Sequence, residues 1–379
     1  MTAPVRRYAR GPARAAWALA LAVALSGLGC ASAPPGQDGV PDGSASRSSA
    51  SSASSGPPGQ VARDRPEAPA QPTGPRRRVL AVSVDGLGSA VLRRLGPRQA
   101  PTFHRMLRRG ASTLEARTEV EMTVTLPNHT SMLTGRRIDA ARGGHGVTWN
   151  DDVADRSVPR DASGRVVRSI FTSAHRAGLH TAMFAGKQKF HTFDNTWSRA
   201  IDRVLVTSDQ ARLVRAARHD LVHGRRAFTF LHLRGPDSAG HEDGFDSPAY
   251  VAAGREADRQ LGGVLRTVRT HPRLQRHLVV VLTADHGGRG ADGHDVATRA
   301  ANYRVPFLVW GRGVVHRDLY RLSPGRRNPG GAQPGYGRPR QPVRNGDVAN
   351  LAADLLGLRA VPGSTIGARQ DLRVLARRR

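Results

Sequence analysis

In HLVVVLTADHGGRGADGH, residues 277–294, an apolar run (278–282) meets Asp285 and His286 and, past a glycine-rich turn, His294. A short run rich in β-branched residues between turn signals predicts a strand buried on both faces. Ligands of open α/β sheets bind beyond the carboxyl ends of such strands, so the position itself predicts a site. A helix-capping Asp with incidental histidines in a turn is the other reading. The pattern recurs along the chain. RRVLAVSVDGLG sets Asp85 after the run 79–84, where a site residue and a helix cap are both open. FTFLHLRGPDSAGHEDG sets Asp237 and His241 after the run 228–233. In EVEMTVTLPNHTSMLTG, Pro127 suits the first turn of a helix running through His129, Met132 and Leu133. Thr125 then lies just before that helix, where free N–H groups and the dipole favour an anion. A hydroxyl held there is placed to attack phosphorus; the alternative is that Thr125 or Asn128 only caps the helix.

The elements that must position these residues are strands ending in polar loops, separated by helical stretches. APTFHRMLRRGA has helical apolar spacing and closes on Gly110, which suits a left-handed residue past a helix end. DSPAYVAAGREADRQLGGVL predicts a helix whose Tyr250, Leu261 and Leu265 side packs on the sheet, and VRNGDVANLAADLLGL a closing helix. Residues 153–178 are expected to cover the site, and 312–345 to form an irregular Gly/Pro/Arg-rich excursion. The pattern predicts an α/β fold, a mostly parallel central sheet with helices on both faces. In TAMFAGKQKFHTF the run 181–185 reads as a further strand, with Lys187 and Lys189 just past its end. All but these two of the 58 basic residues are arginine, which invites a chemical reason for the pair. Lysine offers a compact point charge where arginine presents a planar fork; chance retention in a solvated loop is the alternative.

The formal charge is +28 over 379 residues, yet the arginines are scattered, with clusters only at PRRRV and the final RRR. No zinc-finger, helix-turn-helix or aromatic-plus-basic pattern accompanies them, so specific nucleic-acid binding is not expected. The charge implies attraction to anionic substrates or membrane surface. Residues 1–30 read as an export signal, with Arg6, Arg7, Arg10 and Arg14 before the apolar AAWALALAVALSGLG. LSGLGC resembles a bacterial lipobox, with Gly27 where Leu is usual; Cys30, the sole cysteine, would then carry the lipid and become the mature N-terminus. Ala31 and Ser32 after it fit an outer-membrane lipoprotein of the bacterial cell envelope, facing periplasm or exterior. Ordinary cleavage nearby, giving a secreted or periplasmic protein, is the alternative. Residues 31–76, rich in Ser, Pro, Gly and Ala, predict a disordered tether, and 77–375 the folded catalytic domain. Nothing in the sequence specifies an oligomeric state.

Here the motifs converge. TLPNHTSMLTG…GGHGVTWN resembles the T-F-P-N-H…T-G…H-G…N signature of type I phosphodiesterases/nucleotide pyrophosphatases, within the alkaline phosphatase superfamily. Leu126 replaces the usual aromatic residue. The resemblance extends over about residues 77–358 and implies hydrolysis of phosphate esters, by a phosphothreonine intermediate on Thr125. It assigns Asn150 to phosphate binding, beside Asp151 and Asp152. It also implies two metal ions, one held by Asp85, Thr125, Asp285 and His286 and one by Asp237, His241 and His294. His294 is chosen because related mutases place their last histidine ligand between ADHG and a VPF strand; His316 is the competing candidate. Mixed imidazole and carboxylate donors suit Zn²⁺, and two such ions clamp the attacking and leaving oxygens of an in-line displacement. Some monoesterases of the superfamily carry a Lys-x-Lys/Arg pair after an equivalent strand, which implies phosphoryl contacts for Lys187 and Lys189, and monoesters as substrates beside diesters.

A sulfatase of this superfamily needs Cys or Ser in C/S-x-P-x-R, and Thr125-Leu126-Pro127-Asn128 lacks that form. A phosphotransferase or phosphomutase of the same superfamily, or a catalytically degenerate envelope binding protein, are the remaining alternatives.

Overall fold

The computed structural model describes residues 77–152, 158–291 and 293–376. The expected export signal, Cys30 and tether lie outside the described residues. All described residues belong to one unit, Ala68–Arg379. Its strands are β1 (Arg78–Val84), β2 (Ala111–Arg117), β3 (Thr181–Ala185), β4 (Arg203–Val206), β5 (Phe228–Leu233), β6 (Leu278–Thr283), β7 (Arg304–Gly311) and β8 (Arg317–Asp318). They form a single sheet in the order β4-β3-β5-β1-β6-β7-β2-β8. Only β7 runs against the rest, pairing antiparallel with both β6 and β2.

The apolar runs explain the centre of this order. Every residue of β3, β5 and β6 is buried, as are the last six of β1. Each fully buried Val, Leu or Phe contributes about 1.5–3 kcal/mol relative to exposure, so such strands gain most at the middle of a sheet covered on both faces. Helices Ser89–Gln99, Pro101–Arg109 and Pro248–Thr270 pack on one another as one group. Thr125–Thr134, Ile170–Arg176 and Asp347–Leu355 form another. The long helix buries Tyr250, Leu261 and Leu265, the side its spacing predicts. Because β5, β1 and β6 are neighbours, their carboxyl ends bring the segments bearing Asp237, Asp85 and Asp285 together.

Two expectations need correction. Gly110 is not left-handed: its backbone is extended, with φ −132°. It is needed because a Cβ there would lie 2.2 Å from the Val309 carbonyl oxygen, where β2 starts against β7. Within 153–178, the helix Ile170–Arg176 buries Ile170, Phe171 and Ala174 in the core, so this part builds a layer instead of covering the site. An amphipathic stretch signals a buried face without saying which surface it meets.

The excursion at 312–345 is irregular apart from β8 and the helix Leu319–Leu322, as expected. Two fully buried arginines hold it. Arg117 donates to the carbonyls of Ala332 (2.8 Å) and Gly330 (2.5 Å), and Arg344 to those of Thr118 (2.8 Å) and Pro334 (2.5 Å). Irregular backbone lacks ladder partners, and a guanidinium with five donors satisfies several such carbonyls at once.

Tyr336 of this excursion reaches the loop before Thr125, with its hydroxyl 2.6 Å from Glu119 Oε2 and 2.7 Å from Glu121 Oε2. A phenol has one proton, so two such contacts require a second proton on a carboxyl group. Glu119 carries it: burial outweighs the pull of Arg344 and Tyr336 and raises its pKa from 4.5 to about 8. The folded state therefore binds more protons than the unfolded chain between about pH 4.5 and 8, and Glu119's contribution to stability is lost as pH rises through that window. Glu119→Gln, neutral at all pH, is expected to lose less melting temperature between pH 6 and pH 9 than the parent protein. Parallel profiles for the two proteins would refute this protonation.

Candidate active site

Asp85 follows β1 directly, Asp285 and His286 lie two and three residues past β6, and Asp237 and His241 share a face of the helix Gly235–Asp243 after β5. Gly86, at φ +70°, lets two of these segments meet, since a Cβ there would lie 2.9 Å from Asp237 Cα. His286 Nε2 stands 3.1 Å from Asp285 Oδ2, 3.5 Å from Asp85 Oδ1 and 3.6 Å from Asp237 Oδ1. These four atoms are buried and have no hydrogen-bond partner among the described residues. Three of the four are carboxylate oxygens, and their convergence is costly unless a cation, a protonated His286 or a metal ion in place of its proton, compensates it. The ligand atoms fall into two groups that could each hold a metal ion, Asp85/Asp285/His286 and Asp237/His286/His294.

The imidazoles are set up as ligands. His286 Nδ1–H donates to the Gly287 carbonyl (2.9 Å) and His294 Nδ1–H to that of Thr123 (2.7 Å), which turns each Nε2 inward. Second hydrogen bonds of this kind fix the tautomer and ring orientation of a metal-binding histidine. Burial, and then neighbouring His286, lower the His294 pKa to about 2, keeping that ring neutral. For His286 burial acts the same way, but Asp285 and Asp237 outweigh it and raise the pKa to about 9. Burial and the nearby Asp85 raise Asp285 to about 7. His241, more than half exposed, places Nε2 3.0 Å from His294 Nε2 and 3.5 Å from Asp237 Oδ1. His316 lines a separate cleft with Arg109 and Trp310, so only His294 meets Asp237.

Thr125 is itself the first residue of the helix Thr125–Thr134 instead of preceding it, and makes no cap hydrogen bond. Nor does Asn128 cap it: its Oδ1 takes the Glu119 N–H and its Nδ2 donates to Met122 and Val124. The first turn is capped by Asn150, whose Oδ1 accepts the Leu126 N–H at 2.9 Å. Lys189 donates to the Asn150 carbonyl, and its backbone N–H is held by Asp152. Lys187 Nζ lies 2.6 Å from Asp85 Oδ2, 2.5 Å from Asp237 Oδ2 and 3.4 Å from Thr125 Oγ. Burial opposes its charge, but Asp85 and Asp237 outweigh that and raise its pKa. A cleft of about 360 Å³ is lined by Thr125, Asn150, Lys187, Lys189, Asp237 and His241, with Arg234 at its wall. The structure thus brings together all ten site residues expected within the described part of the chain.

Two supporting residues were not singled out from the sequence. The Gly186 N–H donates to His232 Nδ1, so His232 Nε2–H donates to Asp85 Oδ2 at 2.8 Å. His129 Nδ1–H donates to the Thr125 carbonyl at 2.7 Å, and its Nε2 meets Ser83 Oγ at 2.8 Å. For His232 a signal existed: it is the lone imidazole inside an otherwise apolar strand with one Thr, FTFLHL.

A family model described as type I phosphodiesterase / nucleotide pyrophosphatase matches residues 79–303, a segment holding every one of these site residues. The chain belongs to this family. Human ectonucleotide pyrophosphatase/phosphodiesterase family member 7 is 26% identical over 250 residues, 58% of this chain and 50% of that protein. GPI ethanolamine phosphate transferase 1 of Neurospora crassa is 32% identical over 152 residues, 36% of this chain and 14% of that protein. The matches thus span half or less of these relatives' own length. Among solved structures, murine ectonucleotide pyrophosphatase/phosphodiesterase 5 superposes with TM-score 0.56 at 15% identity, covering 79% of this chain and 100% of that one. A protein of the alkaline phosphatase superfamily from Vibrio parahaemolyticus gives TM-score 0.54 at 15% identity, covering 80% and 71%. These two likenesses are of fold, and the mostly parallel sheet agrees with them.

Proposed function

We propose that this member of the type I phosphodiesterase / nucleotide pyrophosphatase family hydrolyses phosphate esters through a phosphothreonine formed on Thr125. The observation that carries the reading is the meeting, at one cleft, of Thr125 with Lys187 and the orphaned oxygens of Asp85, Asp237 and Asp285. The donor set suits two zinc ions, one held by Asp85, Thr125, Asp285 and His286, the other by Asp237, His241 and His294. Bound there, the metals would supply Lewis acidity at the Thr125 hydroxyl and at the leaving oxygen. Thr125 Oγ bonds to phosphorus as the ester oxygen departs, and water then cleaves the P–Oγ bond and restores the hydroxyl. Asn150, with Oδ1 committed to Leu126, offers its amide hydrogens to the phosphoryl oxygens.

The reading is tested by assaying the purified protein on aryl phosphate monoesters and diesters while measuring its metal content. Turnover of neither class by zinc-loaded protein would reject it. Transfer to an alcohol instead of water is a second reading, favoured by the match to GPI ethanolamine phosphate transferase 1. A product mixture dominated by the transfer product when an alcohol acceptor is supplied would select it.

Lys187 bears on substrate class. Two of its three donors are taken by Asp85 and Asp237, and the third faces Thr125. There it can meet the additional charge that a monoester dianion carries in the transition state. At saturating zinc, Lys187→Ala is expected to slow monoester hydrolysis far more than diester hydrolysis. Equal losses on both substrates, or none on either, would leave a plain diesterase.

A further inference from the structure

The ammonium of Lys187 touches one carboxylate from each candidate metal group. The two oxygens of Asp85 and of Asp237 face opposite ways, and His232 also donates to Asp85 Oδ2. Their Oδ2 atoms face Lys187, while their Oδ1 atoms turn to His286 Nε2 and have no hydrogen-bond partner among the described residues. Three buried carboxylates, Asp85, Asp237 and Asp285, therefore share two cationic groups, the Lys187 ammonium and the His286 ring; a metal ion would displace the His286 proton, and the ammonium is the one that stays. The other lysine cannot take its place, since Lys189 is held by Asn150. The backbone that leads to Lys187 is fixed: the Gly186 N–H donates to His232, and Arg234 packs close to that glycine.

A fixed positive charge in this position has two opposite effects. It compensates buried carboxylates, whose unpaired burial is strongly destabilising. It also repels any further cation that the same carboxylates would hold, and it occupies oxygens that could otherwise close around a metal.

We infer that Lys187 is a resident counter-ion that sets the metal affinity of the site. It weakens uptake of the second divalent cation and stabilises the fold when metal is scarce. The inference rests on the two-metal reading above and adds regulation of that site by metal supply. Linkage couples the two effects: whatever part of the ammonium's stabilisation is lost when metal binds is subtracted from metal affinity.

The test uses the full chain carrying Lys187→Met, which keeps the apolar stem without the charge. Parent and variant are depleted by a chelator, dialysed, and titrated with Zn²⁺ alone by calorimetry, and the melting temperature of each form is recorded. The expected result is at least one zinc affinity tightened by roughly tenfold or more. The depleted variant should also melt below the depleted parent, and zinc should narrow the gap. A variant that folds only with zinc present supports the same conclusion through that dependence. Lys187→Arg, which retains the charge, should stay near the parent in both measurements; if it instead behaves like Lys187→Met, fit and not charge is responsible, and the inference falls. Equal zinc affinities and equal melting of the depleted proteins overturn it while leaving the metal reading intact. Failure of both proteins to bind zinc overturns the metal reading and this inference with it.

Discussion

Thr125→Ala is expected to lower kcat on an aryl phosphate by on the order of 10⁶-fold, the scale seen when a nucleophile is deleted from machinery that otherwise stays in place. The structure explains why so little else should change. Thr125 Oγ caps no helix, and its one hydrogen-bond neighbour among the described residues is Lys187 at 3.4 Å. The helix start is secured instead by Asn150 on the Leu126 N–H and by His129 on the Thr125 carbonyl, neither of which needs the side chain. Melting temperature should therefore be nearly unchanged. Thr125→Ser keeps the hydroxyl but loses the methyl group that restricts χ1, so its rate should fall between those of the parent and the alanine variant. Trapping with a labelled ester should label the parent on Thr125 and leave the alanine variant unlabelled. Turnover of Thr125→Ala at the parent rate would remove Thr125 from the chemistry.

Exhaustive chelation is expected to abolish turnover, and added zinc to restore it. Asp85, Asp237 and Asp285 are buried together, and the atoms they turn to His286 have no hydrogen-bond partner among the described residues. A cation bound to the folded chain alone also stabilises it, by about 2.7 kcal/mol at a free concentration 100 times Kd. Loss of activity and a fall in melting temperature should therefore appear together on depletion and reverse together. Asp285→Asn, which removes one carboxylate charge from the cluster, should raise the zinc needed for recovery. Full activity in protein shown by elemental analysis to hold no transition metal would exclude the assignment.

What was legible in the sequence was the end of each buried strand. A strand covered on both faces is a near-continuous apolar run, and a run stopped by Asp-Gly or Asp-His announces both its end and a polar loop. Asp85, Asp285 and His286 are legible that way and Asp237 as part of the polar segment after the run 228–233, and the adjacency of β5, β1 and β6 gathers them. The neighbours themselves were not legible, because they arise across the sheet. His232 belongs to β5 but serves Asp85 after β1, and Lys187 after β3 reaches past β5 to the same carboxylate. The extended Gly110 and the packed helix Ile170–Arg176 were misread for a related reason. A glycine signals either positive φ or close approach, and an apolar face signals burial without naming what buries it.

The excursion held by Arg117 and Arg344 bears on how much of the chain the chemistry needs. The family match ends at residue 303, yet Tyr336 grips Glu119 and Glu121 in the loop that leads to Thr125. In the same loop, Thr123 exchanges hydrogen bonds with His294. Farther along, Asn345 donates to Asn128 Oδ1 and to the carbonyls of Ala284 and Asp285. Nucleophile loop, last histidine and late segment are thus tied into one hydrogen-bonded network, the kind of unit expected to open as a whole. A chain cut where the recognisable family ends would retain every reactive side chain and lose the brace that keeps them in register.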